Sequence, residues 1–180
     1  MNFDIESFKK NLKEKTKITF LKSLEKLNID EISGFALYSD NDAIAISATV
    51  NTFEYLKEMQ ELEPGFDEYF RWTPGNWKYE MFNGEDFDLL AKELRKSIEI
   101  EMSEAQFVEY RNSVWNASVE VLEELKEEGL FSKMKPDFVL TFAISDFDDS
   151  ELEIEYVKRL NNEEQTNVFI KWIESETENN

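Results

Sequence analysis

The chain has 180 residues, enough for one domain, and 41% of them are hydrophobic, which is enough to build a core. Asp and Glu number 40 against 20 Lys and Arg, so the net charge is −20 and binding to nucleic acid or to an anionic membrane is disfavoured. Cys and His are both absent, which excludes disulfides, thiolate nucleophiles, imidazole bases and ordinary zinc sites. We therefore expect a single domain over residues 1–180 with no metal and no cofactor.

No targeting or membrane segment is visible. The N-terminus lacks a basic stretch followed by an apolar one, as a signal peptide would have. The longest apolar stretches, residues 43–50 and 138–144, fall well short of the roughly 20 residues that span a bilayer. We expect a cytoplasmic protein.

The first third of the chain predicts a helix, a hairpin and a second helix. Apolar residues at helical spacing predict a helix over residues 4–27. Residues 33–39 and 43–50 are rich in β-branched, small and aromatic side chains, and the turn-forming residues 40–42 between them predict a β-hairpin. A short helix over residues 53–62 follows, capped by the polar pair that precedes it.

Residues 63–85 are less regular. Pro74 followed by Gly75 has the order expected of a type II turn. Trp72 and Trp77 flank this turn, which predicts either a second hairpin or a folded loop.

Helical spacing resumes over residues 87–98 and again after Ser103, where a long helix extends to Gly129, a residue placed to end it. Residues 137–145 then form a buried strand.

The C-terminal part is predicted to hold two more helices. Residues 151–160 fit both a strand and a helix, and Ser150 with Glu153 three residues later completes a capping box that favours the helix. A last helix contains Trp172 and leads into a polar tail from about residue 174. The order α-β-β-α-(β)-α-α-β-α-α predicts an α+β fold with a small, mainly antiparallel sheet covered by helices.

Charge is unevenly distributed. Residues 1–27 carry seven Lys and four acidic residues, whereas residues 99–128 carry nine acidic and two basic residues and residues 145–180 carry eleven and three. One interpretation is a solvated surface on which the lysines of the first helix offset neighbouring carboxylates. The other is an acidic docking face, because a cluster of one sign steers an oppositely charged partner.

The densest carboxylate group lies near residue 150 and holds Asp146, Asp148, Asp149, Glu151, Glu153 and Glu155, of which the first four are the candidate contact residues. Its spacing resembles the start of an EF-hand loop, but Glu151 occupies the sixth position, where Gly is needed, and the twelfth position is not Glu. We therefore expect no metal and assign these four residues to partner binding.

No catalytic group stands out. Paired carboxylates can hydrolyse glycosides without His or Cys. With 40 acidic residues, however, a suitable pair is expected by chance and does not indicate catalysis. Ser132 and Lys135 have the Ser-x-x-Lys spacing but lie in a predicted loop without the companion signatures of that chemistry, and no glycine-rich phosphate loop is present. We expect that the protein is not an enzyme, with a carboxylate-dependent hydrolase as the alternative.

Ten aromatic residues lie between positions 53 and 87. They fit ordinary packing of a turn-rich segment. They also fit a recognition surface, because Trp, Tyr and Arg dominate binding hot spots, and Arg71, Trp72 and Trp77 are then the candidate contact residues.

Three stretches together resemble a known family. They are Gly34-Phe35-Ala36-Leu37-Tyr38-Ser39-Asp40, then Arg71-Trp72-Thr73-Pro74-x-x-Trp77-x-Tyr79-Glu80, then Ile144-Ser145-Asp146 followed by Val157-Lys158-Arg159-Leu160-Asn161. The chain resembles a bacterial domain-of-unknown-function family, numbered 4303, over nearly its whole length. The resemblance implies a stand-alone cytoplasmic protein of the immunity-protein kind, and it implies no catalytic residues.

The sequence thus predicts an acidic cytoplasmic binding protein, with immunity to a cationic toxin as its most concrete form. Such a protein would dock its acidic face on a basic effector and occlude the effector's substrate groove. A regulatory or scaffold module with a different protein partner is the other interaction hypothesis.

Overall fold

A computed structural model describes residues 3–98 and 102–178, with the side chains of residues 177 and 178 excepted. It contains seven α-helices and three strands within these ranges. In chain order they are α1 Ile5–Lys26, β1 Ile32–Ser39, β2 Ile46–Thr52, α2 Phe53–Leu62, α3 Asp67–Trp72, α4 Asp88–Ile98, α5 Glu104–Glu127, β3 Val139–Ile144, α6 Ser150–Leu160 and α7 Glu163–Glu178. The fold is α+β, as predicted.

The sheet has the strand order β2-β1-β3. β1 pairs antiparallel with β2, as the predicted hairpin requires, but it pairs parallel with β3. The expectation of a mainly antiparallel sheet therefore holds for one of the two pairings, and the sheet is mixed. The reason is topological: the long crossover through α5 brings the chain back to the start of the sheet before β3 begins.

Large apolar side chains cover one face of the sheet. Phe35 and Leu37 on β1 and Leu140 and Phe142 on β3 alternate along their strands, and all four are buried in the main core. The apolar faces of α1 and α5 complete that core, and the edge-to-face ring pair Phe20–Phe35 lies within it.

The opposite face of the sheet carries mostly small side chains. By alternation it holds, from β1, β2 and β3, Gly34, Ala36, Tyr38, Ser47, Thr49, Asn51, Val139, Thr141 and Ala143. A second, smaller core of Trp72, Val139, Val157 and Phe169 packs on this side. Small side chains leave room above the sheet, and this room becomes the clefts described below.

Ion pairs join α1 to α5 along their length. Lys9 contacts Glu120 and Glu124 at 2.8 and 2.7 Å, and Lys13 contacts Glu124 and Glu128 at 2.6 and 2.8 Å. The hydrogen bond that Lys9 donates to Glu120 is the largest cause that raises the pKa of Lys9. The lysines of the first helix therefore do offset neighbouring carboxylates, which agrees with the interpretation of the charge pattern as a solvated surface.

Three local predictions need correction. Pro74 and Gly75 form a 3₁₀ turn, Pro74–Asn76, and not a type II turn, because the amide of Trp77 bonds the Pro74 carbonyl at 3.2 Å and Gly75 does not take a positive φ. Of the two alternatives predicted for this segment, the structure shows the folded loop and not a second hairpin: Tyr79 makes only a single bridge to Val50 of β2.

The last two corrections concern α6 and α7. Asp149, and not Ser150, caps α6, since its carboxylate accepts a bond from the Leu152 amide at 3.1 Å. The predicted polar tail is helical through Glu178, and residues 179 and 180 lie outside the described residues.

Candidate functional site

Two adjoining clefts lie over the small-residue face of the sheet. The larger, here called the outer cleft, measures about 340 Å³ and is lined in part by Ser47 and Thr49 of β2 and by Phe87 and Ala91. The smaller, the inner cavity, measures about 170 Å³ and lies between β3, α6 and α7. Tyr38, Pro74 and Ser145 line both, so the two spaces meet at this point.

The clefts open at the carboxyl ends of the two parallel strands, which is where open sheets with parallel strands commonly bind ligands. β1 ends at Ser39 and β3 at Ile144, and the residues that follow, Asp40 and Asp146, line the outer cleft and the inner cavity respectively. The Asp40 carboxylate is already engaged, because it accepts bonds from the amides of Ile44 at 2.8 Å and Ala45 at 3.1 Å. Asp146 has a positive φ of 52°, an uncommon conformation for a residue with a β-carbon.

Aromatic rings form the wall of the inner cavity. Trp72 meets Phe169 edge-on at 5.1 Å between ring centroids, and Phe169 lies 5.7 Å from Trp172. The Trp72 indole is also held by its N–H, which donates to Glu68 at 2.9 Å. The ring contacts and this hydrogen bond therefore fix the orientation of the Trp72 indole in the wall.

Glu153 on α6 is the carboxyl that lines this aromatic cavity most deeply. Burial, followed by the nearby carboxylates of Asp149 and Asp148, raises the pKa of Glu153 to about 7. Its side chain makes no hydrogen bond or ion pair within the described part of the chain. Partial burial of a carboxylate that has no partner costs free energy when the cavity is empty. Binding of a group that pairs with this carboxylate offsets that cost and is therefore favoured.

The lining residues give both spaces a negative balance. Asp40, Glu80 and Asp88 face Arg95 in the outer cleft. Asp146 and Glu153 line the inner cavity, and no basic side chain of the described residues joins them there. An organic cation fits this balance better than an anion does.

Beside the inner cavity lies an exposed apolar patch between α2 and α3. Leu62, Phe66 and Tyr69 are 66%, 54% and 36% exposed, although all three are large apolar or aromatic side chains. Phe66 and Tyr69 also line an open groove of about 510 Å³ against α7, and Trp172 lines both this groove and the inner cavity. The same segment carries four carboxylates, Glu61, Glu63, Asp67 and Glu68. We call these seven residues the acidic patch.

The structure brings together some of the sequence-predicted site residues and separates others. Trp72 and Asp146 line the same inner cavity. Asp148, Asp149 and Glu151 are exposed and line none of these spaces.

Arg71 and Trp77 take structural positions. Arg71 lies over the Trp72 ring at 5.6 Å and donates to the Asp137 carbonyl at 3.4 Å. Trp77 is 3% exposed and is packed against Gly34, and Trp72 is 4% exposed, so both fit the packing interpretation of the aromatic segment.

Sequence reasoning missed Glu153 and the apolar members of the acidic patch. Glu153 is part of the predicted carboxylate group and of the predicted helix cap but is not among the candidate contact residues, although it falls one turn before Val157 on the apolar stripe of α6 and is the charged member of that stripe. Phe66 and Tyr69 were counted among the aromatic residues of their segment. The sequence pattern of this segment does not distinguish these exposed rings from the buried rings of Trp72 and Trp77.

Within residues 3–98 and 102–178, no three carboxyl, imidazole or thiol groups lie together in a way that would hold a metal ion. No helix in the same part of the chain is long and apolar enough to cross a membrane.

Comparison with known proteins gives one match. The model of a family described as a domain of unknown function, DUF4303, matches residues 12–162, which is most of the chain and includes both clefts apart from the α7 wall. No curated protein and no solved structure matches the chain.

Proposed function

The chain belongs to the DUF4303 family, and we propose that it is a binding protein that docks a cationic protein through the acidic patch. The observation that carries the proposal is the exposure of Leu62, Phe66 and Tyr69 on one short stretch of chain. Burying large apolar side chains drives folding, so adjacent ones left in water mark an interaction surface.

The carboxylates of the patch indicate the chemistry of the partner. All four carboxylates are close in sequence to the three apolar side chains, and the only basic residue between positions 54 and 70 is Lys57. Apolar anchors supply affinity at the centre of such a surface, while charges at its rim speed encounter with a partner of opposite sign. A basic protein with an apolar contact residue meets both requirements.

Neutralisation of a basic toxin is the form of this function that we propose. An acidic protein that covers the basic substrate groove of an effector blocks it without chemistry, so neither His nor Cys is needed. The net charge of −20 exceeds what solubility requires and is consistent with such a role. The acidic turn before α6, with Asp148, Asp149 and Glu151, would extend the negative surface seen by the partner.

The test uses affinity capture from the native host with a matched pair of variants. The patch variant carries Leu62→Ser, Phe66→Ser and Tyr69→Ser, and the control carries Leu89→Ser, which changes a side chain that is 70% exposed on α4. Leu62, Phe66 and Leu89 are more than half exposed, so replacing them should change folding stability little. Tyr69 is 36% exposed and its hydroxyl accepts a hydrogen bond from Asn76 at 3.0 Å, so urea denaturation checks that the patch variant is folded.

We expect the wild-type chain and the Leu89→Ser chain to capture the same basic protein at low salt. The patch variant should not capture this protein, and high salt should release it from the other two chains. Expression of the captured protein should arrest growth, and co-expression of the wild-type chain should restore it. Equal capture by the patch variant, or a captured protein that is not basic, would refute the acidic patch as the docking surface. Growth unaffected by the captured protein would refute the role in immunity.

A further inference from the structure

The inner cavity has a construction that the docking surface does not explain. Its volume of about 170 Å³ is comparable to the roughly 150 Å³ of a cavity that holds a benzene molecule. Trp72, Phe169 and Trp172 form one wall, and Glu153 and Asp146 contribute carboxyl groups to the lining. The cavity therefore combines π faces with negative charge in a small, partly enclosed space.

Both features favour the same kind of ligand. The faces of aromatic rings attract cations, most strongly when the cation is taken out of water. A partly buried carboxyl without a counter-charge gains from the same cation, because pairing offsets the cost of its burial. The described charged groups that act on Glu153 are the acidic Asp149 and Asp148, and none of the basic residues does.

We propose that the inner cavity is a binding site for a primary alkylammonium group, with the ammonium against Glu153 and the alkyl stem between the aromatic rings. A compact ammonium on a flexible stem fits a small cavity better than a planar guanidinium, which needs a wider fork of acceptors. The remainder of the ligand would extend past Tyr38 and Pro74 into the outer cleft, whose lining is largely apolar. This site does not depend on the acidic patch, and either proposal can fail without the other.

The titratable groups around Glu153 predict how binding depends on pH. Asp146 and Tyr38 line the cavity with it, Asp148 and Asp149 act on it from the turn before α6, and burial raises the pKa of Tyr38 above its ordinary value. Since the pKa of Glu153 is about 7 when the cavity is empty, a bound cation shifts that carboxyl toward its ionised form. Affinity should therefore rise about tenfold between roughly pH 6 and roughly pH 8.

The four tryptophans provide a readout with internal controls. Trp72 and Trp172 line the inner cavity, whereas Trp77 and Trp115 do not. Titration of the nitrogen-15-labelled protein with n-butylammonium chloride should shift the indole N–H signals of the first pair and leave those of the second pair in place. The neutral isostere 1-butanol serves as the control ligand.

Two variants on the same helix separate charge from packing. Glu153→Gln keeps the shape of the side chain and should weaken n-butylammonium binding at least about tenfold while removing its pH dependence. Glu155→Gln changes an exposed carboxyl that does not line the cavity and should bind as the wild type does. Unchanged Trp77 and Trp115 signals in both variants verify that they are folded.

A second ligand distinguishes the source of the ammonium. Nα-acetyl-lysine-N-methylamide presents the same group on a peptide backbone. Binding of this ligand supports a lysine of a protein, and binding of n-butylammonium alone supports a free amine. The proposal is overturned if neither cation shifts the Trp72 and Trp172 signals, if 1-butanol shifts them equally, or if Glu153→Gln binds both cations as tightly as the wild type.

Discussion

Gly34 on β1 lies directly against the indole ring of Trp77, and replacing this glycine with alanine tests how the small-residue face of the sheet is packed. A β-carbon at position 34 would lie 2.8 Å from Cη2 of Trp77 and 3.2 Å from Cζ2 and Cζ3. Favourable carbon–carbon contacts lie at about 3.5–4.0 Å, so all three approaches are too close. Trp77 is 3% exposed and cannot move aside without disturbing its neighbours.

The expected cost of Gly34→Ala follows from these contacts. Overpacking a well-packed site costs about 1–3 kcal/mol, and the lower flexibility of alanine in the unfolded chain returns about 0.4–1 kcal/mol. The free energy of unfolding should therefore fall by about 1–2 kcal/mol. For a chain of this size that lowers Tm by about 2–4 °C for each kcal/mol.

A double-mutant cycle identifies the cause. Trp77→Phe removes the ring atoms that the new methyl group would meet, so Gly34→Ala should cost little in that background. The two substitutions should be coupled by about 1–2 kcal/mol. Urea denaturation with comparison of m-values measures this coupling, because unchanged m-values show that the change lies in stability and not in the extent of unfolding.

Gly84→Ala is the matched control for this cycle. A β-carbon there would contact only Met81, at 3.8 Å, and the residue does not take a positive φ, so the substitution should be nearly neutral. The packing argument fails if Gly34→Ala costs the same with Trp and with Phe at position 77. It also fails if Gly84→Ala is equally destabilising, since the loss would then come from the backbone and not from the contact with Trp77.

Three further predictions concern groups outside that contact. Tyr110→Phe removes a buried hydroxyl that lies 3.1 and 3.2 Å from two main-chain carbonyl oxygens, and it should cost about 1–2 kcal/mol by urea denaturation. Burial raises the pKa of Glu153 from 4.5 to about 7, so its ionisation opposes folding increasingly as pH rises across that interval. Glu153→Gln should thus be neutral below pH 4.5 and, after allowance for solvent screening, should raise stability by about 2 kcal/mol above pH 7; equal effects at both ends would contradict this. Lys9→Met and Lys13→Met should each cost about 0.5–1 kcal/mol at low salt and less at high salt. Hydrogen bonds from Lys13 and then Lys9 lower the pKa of Glu124, so the stability due to these pairs should be present at neutral pH and disappear as pH falls below 4.5.

Local sequence determined the helices and their ends. Thr52 and Ser103 cap α2 and α5 as predicted, and Gly129, with a φ of +80°, ends the long helix. α1 is one continuous helix over Ile5–Lys26, in agreement with the helix predicted over residues 4–27. These features depend on residues within a turn of one another, together with the gross balance of charge, and both are visible in a single sequence.

Tertiary structure alone decided the direction of β3 and the character of the site. Whether β3 runs parallel or antiparallel to β1 depends on where a crossover of about a hundred residues returns, which no local pattern records. The turn at Pro74 and Gly75 adopted a 3₁₀ form because Trp77 packs on the sheet, and this outweighed the type II preference of the pair.

The site shows why its residues could not all be predicted from the sequence. Composition and charge determined an acidic domain without His or Cys, and therefore the kinds of chemistry that it lacks. Burial then separated aromatic from aromatic and carboxyl from carboxyl: Trp72 lines a cavity while Phe66 is exposed, and Glu153 is partly buried while Glu151 is exposed. Such differences arise from which helices pack over the small-residue face of the sheet, and packing between distant segments is what a sequence in isolation does not contain.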